Sequence, residues 1–180
     1  ALDDDRAANL YRITQEMTFK AGLPSYEVSN HAKSGEECRH NLTYWQSGDW
    51  LGIGPGSHGR FVKAKHGSNH IVRHSTMSIL APVKWINSVK INNHGIKNHN
   101  IESSLDWAHE IIMMGLRLKG GISLSETEQL CGPIDSWLDF SGLNCAIEAG
   151  WLIHNTNNSN LRATHDGRLR LNSILSMILK

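Results

Sequence analysis

The segment 39–59, RHNLTYWQSGDWLGIGPGSHG, concentrates the residue types that could do chemistry. Its side chains include two imidazoles, an amide, a phenol, two indoles and a run of turn residues: His40, His58, Asn41, Tyr44, Trp45, Trp50, Gly52, Gly54, Pro55, Gly56 and Gly59. Aromatic rings offer flat, polarizable faces with one polar edge, and glycine lets backbone approach a ligand closely. This combination predicts a site for a flat, largely apolar ligand that carries a few charged groups.

A purely structural interpretation explains the same composition equally well. In that interpretation the segment is a strand, a turn and a second strand. The glycines only serve turns, and the tryptophans only fill core. Composition alone leaves both interpretations open, so the order of the residues has to separate them.

The order of the residues in this segment resembles that of a known family. An H-N-x-x-Y-W run occupies 40–45, and LGIGPGSHG follows at 51–59. Both resemble the oxygen-independent coproporphyrinogen III oxidase family, and specifically its heme-chaperone, HemW-like branch. Further segments occur in family order: GLPSYEVSNHAK at 22–33, MGLRLKGGI at 114–122 and LRATHDGRLRLNSIL at 161–175. The resemblance therefore covers most of the chain.

The cysteines depart from the family pattern. Family members begin with a radical-SAM barrel whose C-x-x-x-C-x-x-C motif holds a 4Fe-4S cluster, and the cluster binds S-adenosylmethionine. This chain has only Cys38, Cys131 and Cys145, which are spaced too widely for that role. We therefore expect it to be the C-terminal half of a parent protein about twice as long, which holds both cofactors. By itself the chain is expected to hold no metal and to be inactive in radical chemistry, which leaves its status as an enzyme open.

The resemblance implies an α/β (α+β) fold class in two parts. Residues 1–91 would be the C-terminal part of a radical-SAM partial TIM barrel, with an extension that carries both motifs. The polar stretch 92–100 would be a linker, and 101–180 a mainly helical, winged-helix-like domain. By the same resemblance, the S-adenosylmethionine pocket of the parent would be lined by Asn41, Leu42, Thr43 and Ile53.

The ligand implied by the resemblance is heme or a porphyrin. The heme-binding candidates are His40, Asn41, Tyr44, Trp45 and His58, with His40 the first candidate for axial ligation and His58 the second. A neutral imidazole is a good iron ligand, and the neighbouring rings could stack on a porphyrin face. The alternative is that His40 only hydrogen-bonds backbone where the barrel closes.

Three residues upstream of the motif are secondary site candidates: Asn30, His31 and Cys38. Asn30 and His31 follow a predicted strand, and a barrel places functional side chains at strand ends. Cys38 could be a soft ligand, and it could equally be a small residue in a loop.

The net charge of +1 hides an uneven distribution. Residues 60–100 contain seven Lys and Arg, five His and no acid, whereas 123–180 contain four basic and six acidic residues. A positive block attracts anions such as porphyrin propionates, an acidic partner or an anionic membrane surface, although a solvated face has the same composition. Phosphate contacts need a basic face, so the negative balance of 123–180 argues against nucleic-acid binding.

Other patterns exclude several classes of protein. The GIGPG run lacks the Lys-Ser/Thr of a P-loop and does not fit G-x-G-x-x-G. His109 and Glu110 do not form the zinc motif H-E-x-x-H, because Met113 stands where the second histidine belongs. No apolar run approaches the roughly 18 residues of a transmembrane helix, and no signal segment is visible. With too few cysteines for a disulfide framework, the sequence predicts a cytoplasmic protein.

Hydrophobic periodicity and capping residues predict the elements that position these groups. The predicted helices are 4–21, with the apolar stripe Leu10, Ile13 and Met17; one from 81–82, with Trp85, Ile86 and Val89 facing inward; 105–119; one opened by the capping box 123–126; 134–139; 142–149; and 169–179. The predicted strands are 26–28, 60–65 and 70–74 around a turn at 67–68, and a hairpin of 151–154 with 161–164.

These expectations together describe a C-terminal fragment of a coproporphyrinogen III oxidase-like protein of porphyrin and heme metabolism. The H-N-x-x-Y-W run favours a heme-binding chaperone over a true oxidase. The alternative is a non-catalytic regulatory or interaction domain without a ligand of its own. Expected partners are porphyrin or heme and heme-receiving respiratory proteins, while the oligomeric state stays open.

Overall fold

The computed structural model describes residues 3–64 and 71–180. Its helices are α1 (Asp4–Lys20), α2 (Arg39–Trp45), α3 (Pro82–Asn92), α4 (Ser104–Gly115), α5 (Leu124–Cys131), α6 (Phe140–Glu148), α7 (His165–Leu169) and α8 (Leu171–Ile178), with a 3-10 turn at Ile134–Ser136. Its strands are β1 (His58–Ala64), β2 (Ile71–Ser78), β3 (Ile96–Ile101), β4 (Ile122–Ser123), β5 (Leu152–Asn155) and β6 (Asn160–Ala163). The mixed α/β class is confirmed. The predicted turn at 67–68 lies outside the described residues.

The first helix, α1, begins where the sequence predicts. The Asp3 carboxylate accepts a hydrogen bond from the Arg6 backbone N–H at 2.7 Å, which caps the helix. The stripe formed by Leu10, Ile13 and Met17 is exposed along one face. The helix is therefore confirmed, and its apolar stripe remains in contact with solvent.

The strand predicted at 26–28 does not form. The Glu27 side chain turns fully inward, and its Oε1 accepts hydrogen bonds from Ser29 and Asn30 at 2.7 to 3.0 Å. These bonds fold the segment into bends, which are closed by an isolated bridge between Ser25 and His31. A buried carboxylate that organises its own neighbours thus replaces the predicted strand.

The strands β1, β2 and β3 form an antiparallel sheet in that order. The described parts of the strands predicted at 60–65 and 70–74 are confirmed within β1 and β2. The prediction that 92–100 is an irregular linker is wrong, because β3 begins at Ile96 and pairs with β2. All six β3 residues are exposed, so an edge strand of this kind shows no apolar alternation in its sequence.

The helix α3 is confirmed, and Pro82 occupies its first turn. Trp85 and Val89 are half-buried, whereas Ile86 is exposed, which corrects its predicted inward orientation. A glycine is required at Gly95, since a Cβ there would lie 2.1 Å from the Trp85 Nε1.

In residues 104–178, the helices α4, α5 and α6 pack beside a sheet of order β4-β6-β5. The Ser123 hydroxyl accepts from the Glu126 N–H at 3.2 Å, as the capping box predicts. The buried apolar core runs from Trp107 to Ile178 and includes the completely buried Trp137. One predicted helix end is wrong, because α4 ends at Gly115 rather than at 119. The helix predicted at 169–179 is confirmed as α8, and the short α7 before it was not predicted. In the described ranges no helix is long and apolar enough to cross a membrane.

A pair of histidines is packed on the first sheet. The His74 Nδ1 lies 2.9 Å from the His99 Nε2, and the Phe61 ring stacks on His74 with centroids 5.1 Å apart. Burial lowers the pKa of His74, and the positive charges of His99 and Lys63 lower it further. The folded chain therefore resists protonation of this imidazole.

We expect the free energy of unfolding to fall as pH decreases below about 6.5, because the unfolded imidazole then binds a proton that the folded one rejects. Urea denaturation at several pH values measures this. The variant His74→Phe should lose part of the pH dependence, whereas His94→Asn, at an exposed site, should keep it. An undiminished pH dependence in His74→Phe would contradict the assignment to this pair.

We also expect residues 102–180 to fold alone, because the buried apolar core lies within them. The fragment should show one cooperative urea transition by far-UV circular dichroism and by the fluorescence of its buried tryptophans. Its midpoint should lie below that of the whole chain, since Val28, Val62 and Ile71 no longer pack on the core. A fragment without a cooperative transition would contradict the prediction that 101–180 is an independent domain.

Candidate functional site

The helix α2 brings three aromatic rings together on its outer face. His40 and Tyr44 are one turn apart, so they share a face, and the Tyr44 hydroxyl lies 3.3 Å from the His40 Nε2. Their ring centroids are 4.8 Å apart in an edge-on arrangement, and the Trp50 ring follows 4.5 Å from Tyr44. We call His40, Tyr44 and Trp50 the aromatic row. The His40 imidazole is exposed at its end.

Backbone contacts fix the position of Trp50. Its indole N–H donates to the His58 carbonyl at 3.1 Å, and its backbone forms an isolated bridge with Arg60. The glycines here have a structural duty, because a Cβ at Gly52 would lie 2.5 Å from the His58 carbonyl oxygen. The His58 side chain itself is exposed at the start of β1. The backbone of the second heme candidate therefore touches the aromatic row.

The inner face of α2 carries the remaining motif residues. The Asn41 amide donates to the Tyr26 hydroxyl at 3.3 Å, and the Arg117 guanidinium lies 4.4 Å from the centroid of the Trp45 ring. The five heme candidates are thus not brought together as one set. His40 and Tyr44 lie in the aromatic row, whereas Asn41 and Trp45, about 100° further around the helix, contact Tyr26 and Arg117.

A cleft of about 940 Å³ lies between α2 and the C-terminal helices. Its lining includes Tyr26, Leu42, Trp45, Trp107 and Ile111. The indole N–H groups of Trp45 and Trp107 are buried and have no hydrogen-bond partner among the described residues. The cleft has the size of a small-molecule site.

Arg73 ties the motif to the C-terminal helices. Its guanidinium is 1% exposed, and it donates to the carbonyls of Ser47 at 2.9 Å and Gly48 at 3.2 Å. It also reaches the Glu110 Oε1 at 3.3 Å, while the Glu110 Oε2 accepts from the Arg60 Nε at 2.8 Å. Sequence reasoning missed this role of Glu110, because the two partners are far from it along the chain and no local pattern marks them.

This network changes the interpretation of the positive block. Arg60 and Arg73 are already paired with Glu110, so they do not supply free charge for propionates as predicted. The exposed cations that the structure describes in the block are Lys63, Lys84, Lys90 and Lys97. The same network places the guanidinium 5.7 Å from the ring centroids of both Trp50 and Trp107, which links the aromatic row to the cleft.

The residues predicted to line an S-adenosylmethionine pocket are separated. Leu42 lines the cleft, and the Thr43 hydroxyl is bonded to the Arg39 carbonyl at 2.9 Å. Ile53 is 86% exposed and is absent from the described lining of the cleft.

The secondary candidates lie at the entrance to α2. The Asn30 amide is committed to Glu27 at 2.8 Å, and Cys38 is exposed at the residue before the helix. The His31 Nε2 is buried, and it has no partner in the described ranges. The alternative prediction, that His40 only hydrogen-bonds the backbone, is wrong. The His40 side chain is exposed, and its ring nitrogen lies beside the Tyr44 hydroxyl.

The cysteines of this chain do not fit an iron–sulfur cluster. Cys38 and Cys145 are exposed in different parts of the fold, and Cys131 is buried in the C-terminal core. Burial raises the pKa of the Cys131 thiol to about 11, so it is protonated and unsuited to metal binding near neutral pH. Across 3–64 and 71–180, no three His, Cys, Asp or Glu side chains are grouped as a metal site.

Comparison with known proteins places the chain in a family. Residues 103–170 match the HemN C-terminal domain. The chain is 33% identical to "Radical S-adenosyl methionine domain-containing protein 1, mitochondrial" of Bos taurus, over 99% of this chain and 40% of that protein. It is 27% identical to the heme chaperone HemW of Haemophilus influenzae, over 98% of this chain and 43% of that protein. Residues 103–170 therefore belong to the HemN C-terminal domain family, and the chain is related to the HemW proteins.

The fold agrees with this assignment. The structure superposes on coproporphyrinogen III oxidase (HemN) from Escherichia coli with a TM-score of 0.67 and 11% sequence identity, covering 98% of this chain and 41% of that one. The family prediction is therefore confirmed, and so is the predicted fold class. The chain spans about 40% of the length of the proteins it matches.

We expect the substitution Glu110→Gln to lower the free energy of unfolding by up to about 3–5 kcal/mol, because it leaves the buried Arg73 guanidinium with only the half-exposed Asp49 carboxylate, 3.5 Å away. Urea denaturation measures the loss. The matched control is Glu16→Gln in the exposed Glu16–Lys20 pair, which should have little effect. Equal losses in the two variants would contradict a structural role for Glu110.

Proposed function

We propose that this chain is the heme-binding part of a coproporphyrinogen III oxidase-like protein, and that the protein acts as a heme chaperone rather than a true oxidase. The observation that carries the proposal is the aromatic row, which ends in an exposed imidazole. An exposed histidine beside two flat rings can bind a porphyrin iron from the solvent side and release it again. The relatives named HemW support the same function.

The proposed axial ligand is His40. The Tyr44 hydroxyl, 3.3 Å from one ring nitrogen, orients the imidazole, and the rings of Tyr44 and Trp50 offer an apolar surface to a porphyrin edge. His58 is the second candidate, because its backbone contacts Trp50 and its side chain is exposed. Asn41 and Trp45 would support α2 from its inner face rather than touch heme bound at His40.

Radical chemistry is proposed only for the whole protein. The relatives named as radical S-adenosylmethionine proteins support S-adenosylmethionine and a 4Fe-4S cluster as cofactors there. When bound, these cofactors supply a radical that abstracts hydrogen from a substrate. The described residues of this chain offer no set of cluster ligands. Lining of the S-adenosylmethionine pocket by Asn41, Leu42, Thr43 and Ile53 stays a prediction.

Heme-receiving respiratory proteins are the proposed partners of the whole protein. A cytoplasmic location is proposed, since the three cysteines are free rather than paired in disulfides. The Bos taurus relative is named as a mitochondrial protein, and the name of the Haemophilus influenzae relative gives no compartment.

A regulatory or interaction domain without its own ligand is the second candidate function. The observation in its favour is a set of exposed apolar side chains near the motif: Leu51, Ile53 and Leu80. Such side chains suit contact with another protein surface. This candidate predicts no specific heme binding.

Heme titration of the whole chain tests the proposal. Wild type should develop a Soret band that saturates, and His40→Ala should shift the band and weaken binding by about tenfold or more. The matched control His94→Ala, at another exposed histidine, should leave both unchanged. Far-UV circular dichroism should be the same in all three proteins, because His40 is exposed.

The possible outcomes separate the candidates. A folded His40→Ala variant with unchanged spectrum and affinity would exclude His40 as the ligand, and His58→Ala would then test the second candidate. If neither variant loses heme binding, the aromatic row is excluded as the heme site. A wild-type chain without saturable heme binding would favour the interaction domain.

A further inference from the structure

A second cleft, of about 790 Å³, lies between α1 and the junction of α7 with α8. We call it the arginine cleft, because its lining includes Arg12, Arg117, Arg168 and Arg170. Among its described lining residues the one carboxylate is Asp5. Like charges gathered around a concave surface create a strongly positive potential, which attracts an anion.

Most of this positive charge has no carboxylate partner. Arg117 is paired with the buried Glu27 at 3.4 Å. Arg168 reaches the neutral hydroxyls of Ser25, at 3.4 Å, and Tyr11, while Arg170 donates to the Asp166 carbonyl at 3.4 Å and lies 5.7 Å from the centroid of the Trp151 ring. In the part of the chain that the structure describes, neither Arg168 nor Arg170 forms an ion pair. The buried Arg168 Nε also lacks a hydrogen-bond partner there, and an unsatisfied buried donor is costly.

Two neutral features of the cleft also suit an anion. The Tyr11 hydroxyl is buried beside the Arg168 guanidinium, and burial raises the pKa of this phenol, so it remains a hydrogen-bond donor. The first three residues of α8, 171–173, line the cleft, and no side chain caps that helix end. Backbone N–H groups at a helix N-terminus favour negative charge.

We propose that the arginine cleft binds an organic phosphate. A phosphoryl group offers two charges and three acceptor oxygens, so it can bond several guanidinium groups and a helix N-terminus together, whereas a carboxylate offers one charge and two oxygens. The volume of the cleft is in the range of small-molecule sites, which leaves room for an organic body beside the phosphate. No lining residue belongs to the segment 39–59, so the site is separate from the proposed heme site.

Isothermal titration calorimetry of the whole chain tests this proposal, with pyrophosphate, inorganic phosphate and citrate as probes at constant ionic strength. Pyrophosphate should bind with saturation and more tightly than the other two. The substitution Arg168→Met should weaken pyrophosphate binding by about tenfold or more. Arg12→Met should weaken it as well, whereas the matched control Arg6→Met, exposed on the same helix and outside the cleft lining, should not.

Three results would each overturn the proposal: no saturable heat with pyrophosphate, citrate binding as tight as pyrophosphate, or equal affinities of Arg12→Met and Arg6→Met. Circular dichroism of each variant checks the fold. If Arg168→Met does not fold, the comparison of Arg12→Met with Arg6→Met decides, because both side chains are exposed. Heme titration of Arg12→Met should match wild type.

Discussion

The buried guanidinium of Arg73 is the constraint on which the arrangement of the motif depends. A guanidinium cannot lose its charge in a protein, so its burial requires charged and hydrogen-bonding partners. The Arg73 guanidinium finds them in the carboxylates of Glu110 and Asp49, in the carbonyls of Ser47 and Gly48, and in two indole faces, while its Nε has no hydrogen-bond partner among the described residues. These partners come from the loop after α2 and from α4, and Arg73 itself lies on β2, so one charge fixes the loop, the sheet and α4 relative to one another.

This constraint explains why α2 presents two distinct surfaces. The loop after α2 is held by its carbonyls, and Trp50 is held by His58 and Arg60, so the outer face of the helix meets Trp50 and forms the aromatic row. The inner face then contacts Tyr26 and Arg117, where Trp45 borders the cleft. A ligand bound at His40 and a ligand bound in the cleft would therefore touch different faces of one short helix.

Local sequence patterns predicted the elements whose stability is local. The Asp3 cap of α1, the Ser123 capping box and the hairpin of β5 with β6 are encoded within a few residues, and all three form. The helix α2 was missed because Thr43, Tyr44 and Trp45 are residue types that favour strands. The edge strand β3 was missed because it buries no side chain.

The family motif identified 39–59 as a candidate site, but the sequence could not show which of its residues lie together. The division of His40 and Tyr44 from Asn41 and Trp45 follows once 39–45 is helical, because helical residues four apart share a face. The pairing of Arg73 with Glu110 spans 37 positions, and no local pattern reports a contact of that separation. Counting charges therefore assigned Arg60 and Arg73 to a free positive surface, whereas in the structure both are paired with Glu110.

Amide hydrogen exchange of the variant Arg73→Lys tests most directly whether this one charge holds the candidate site in place. Lysine keeps the charge but cannot reach two carbonyls and a carboxylate with a planar fork. Exchange across 39–60 should become faster than in wild type, while the core of 104–178 should stay protected. Unchanged protection across 39–60 in the folded variant would contradict the account.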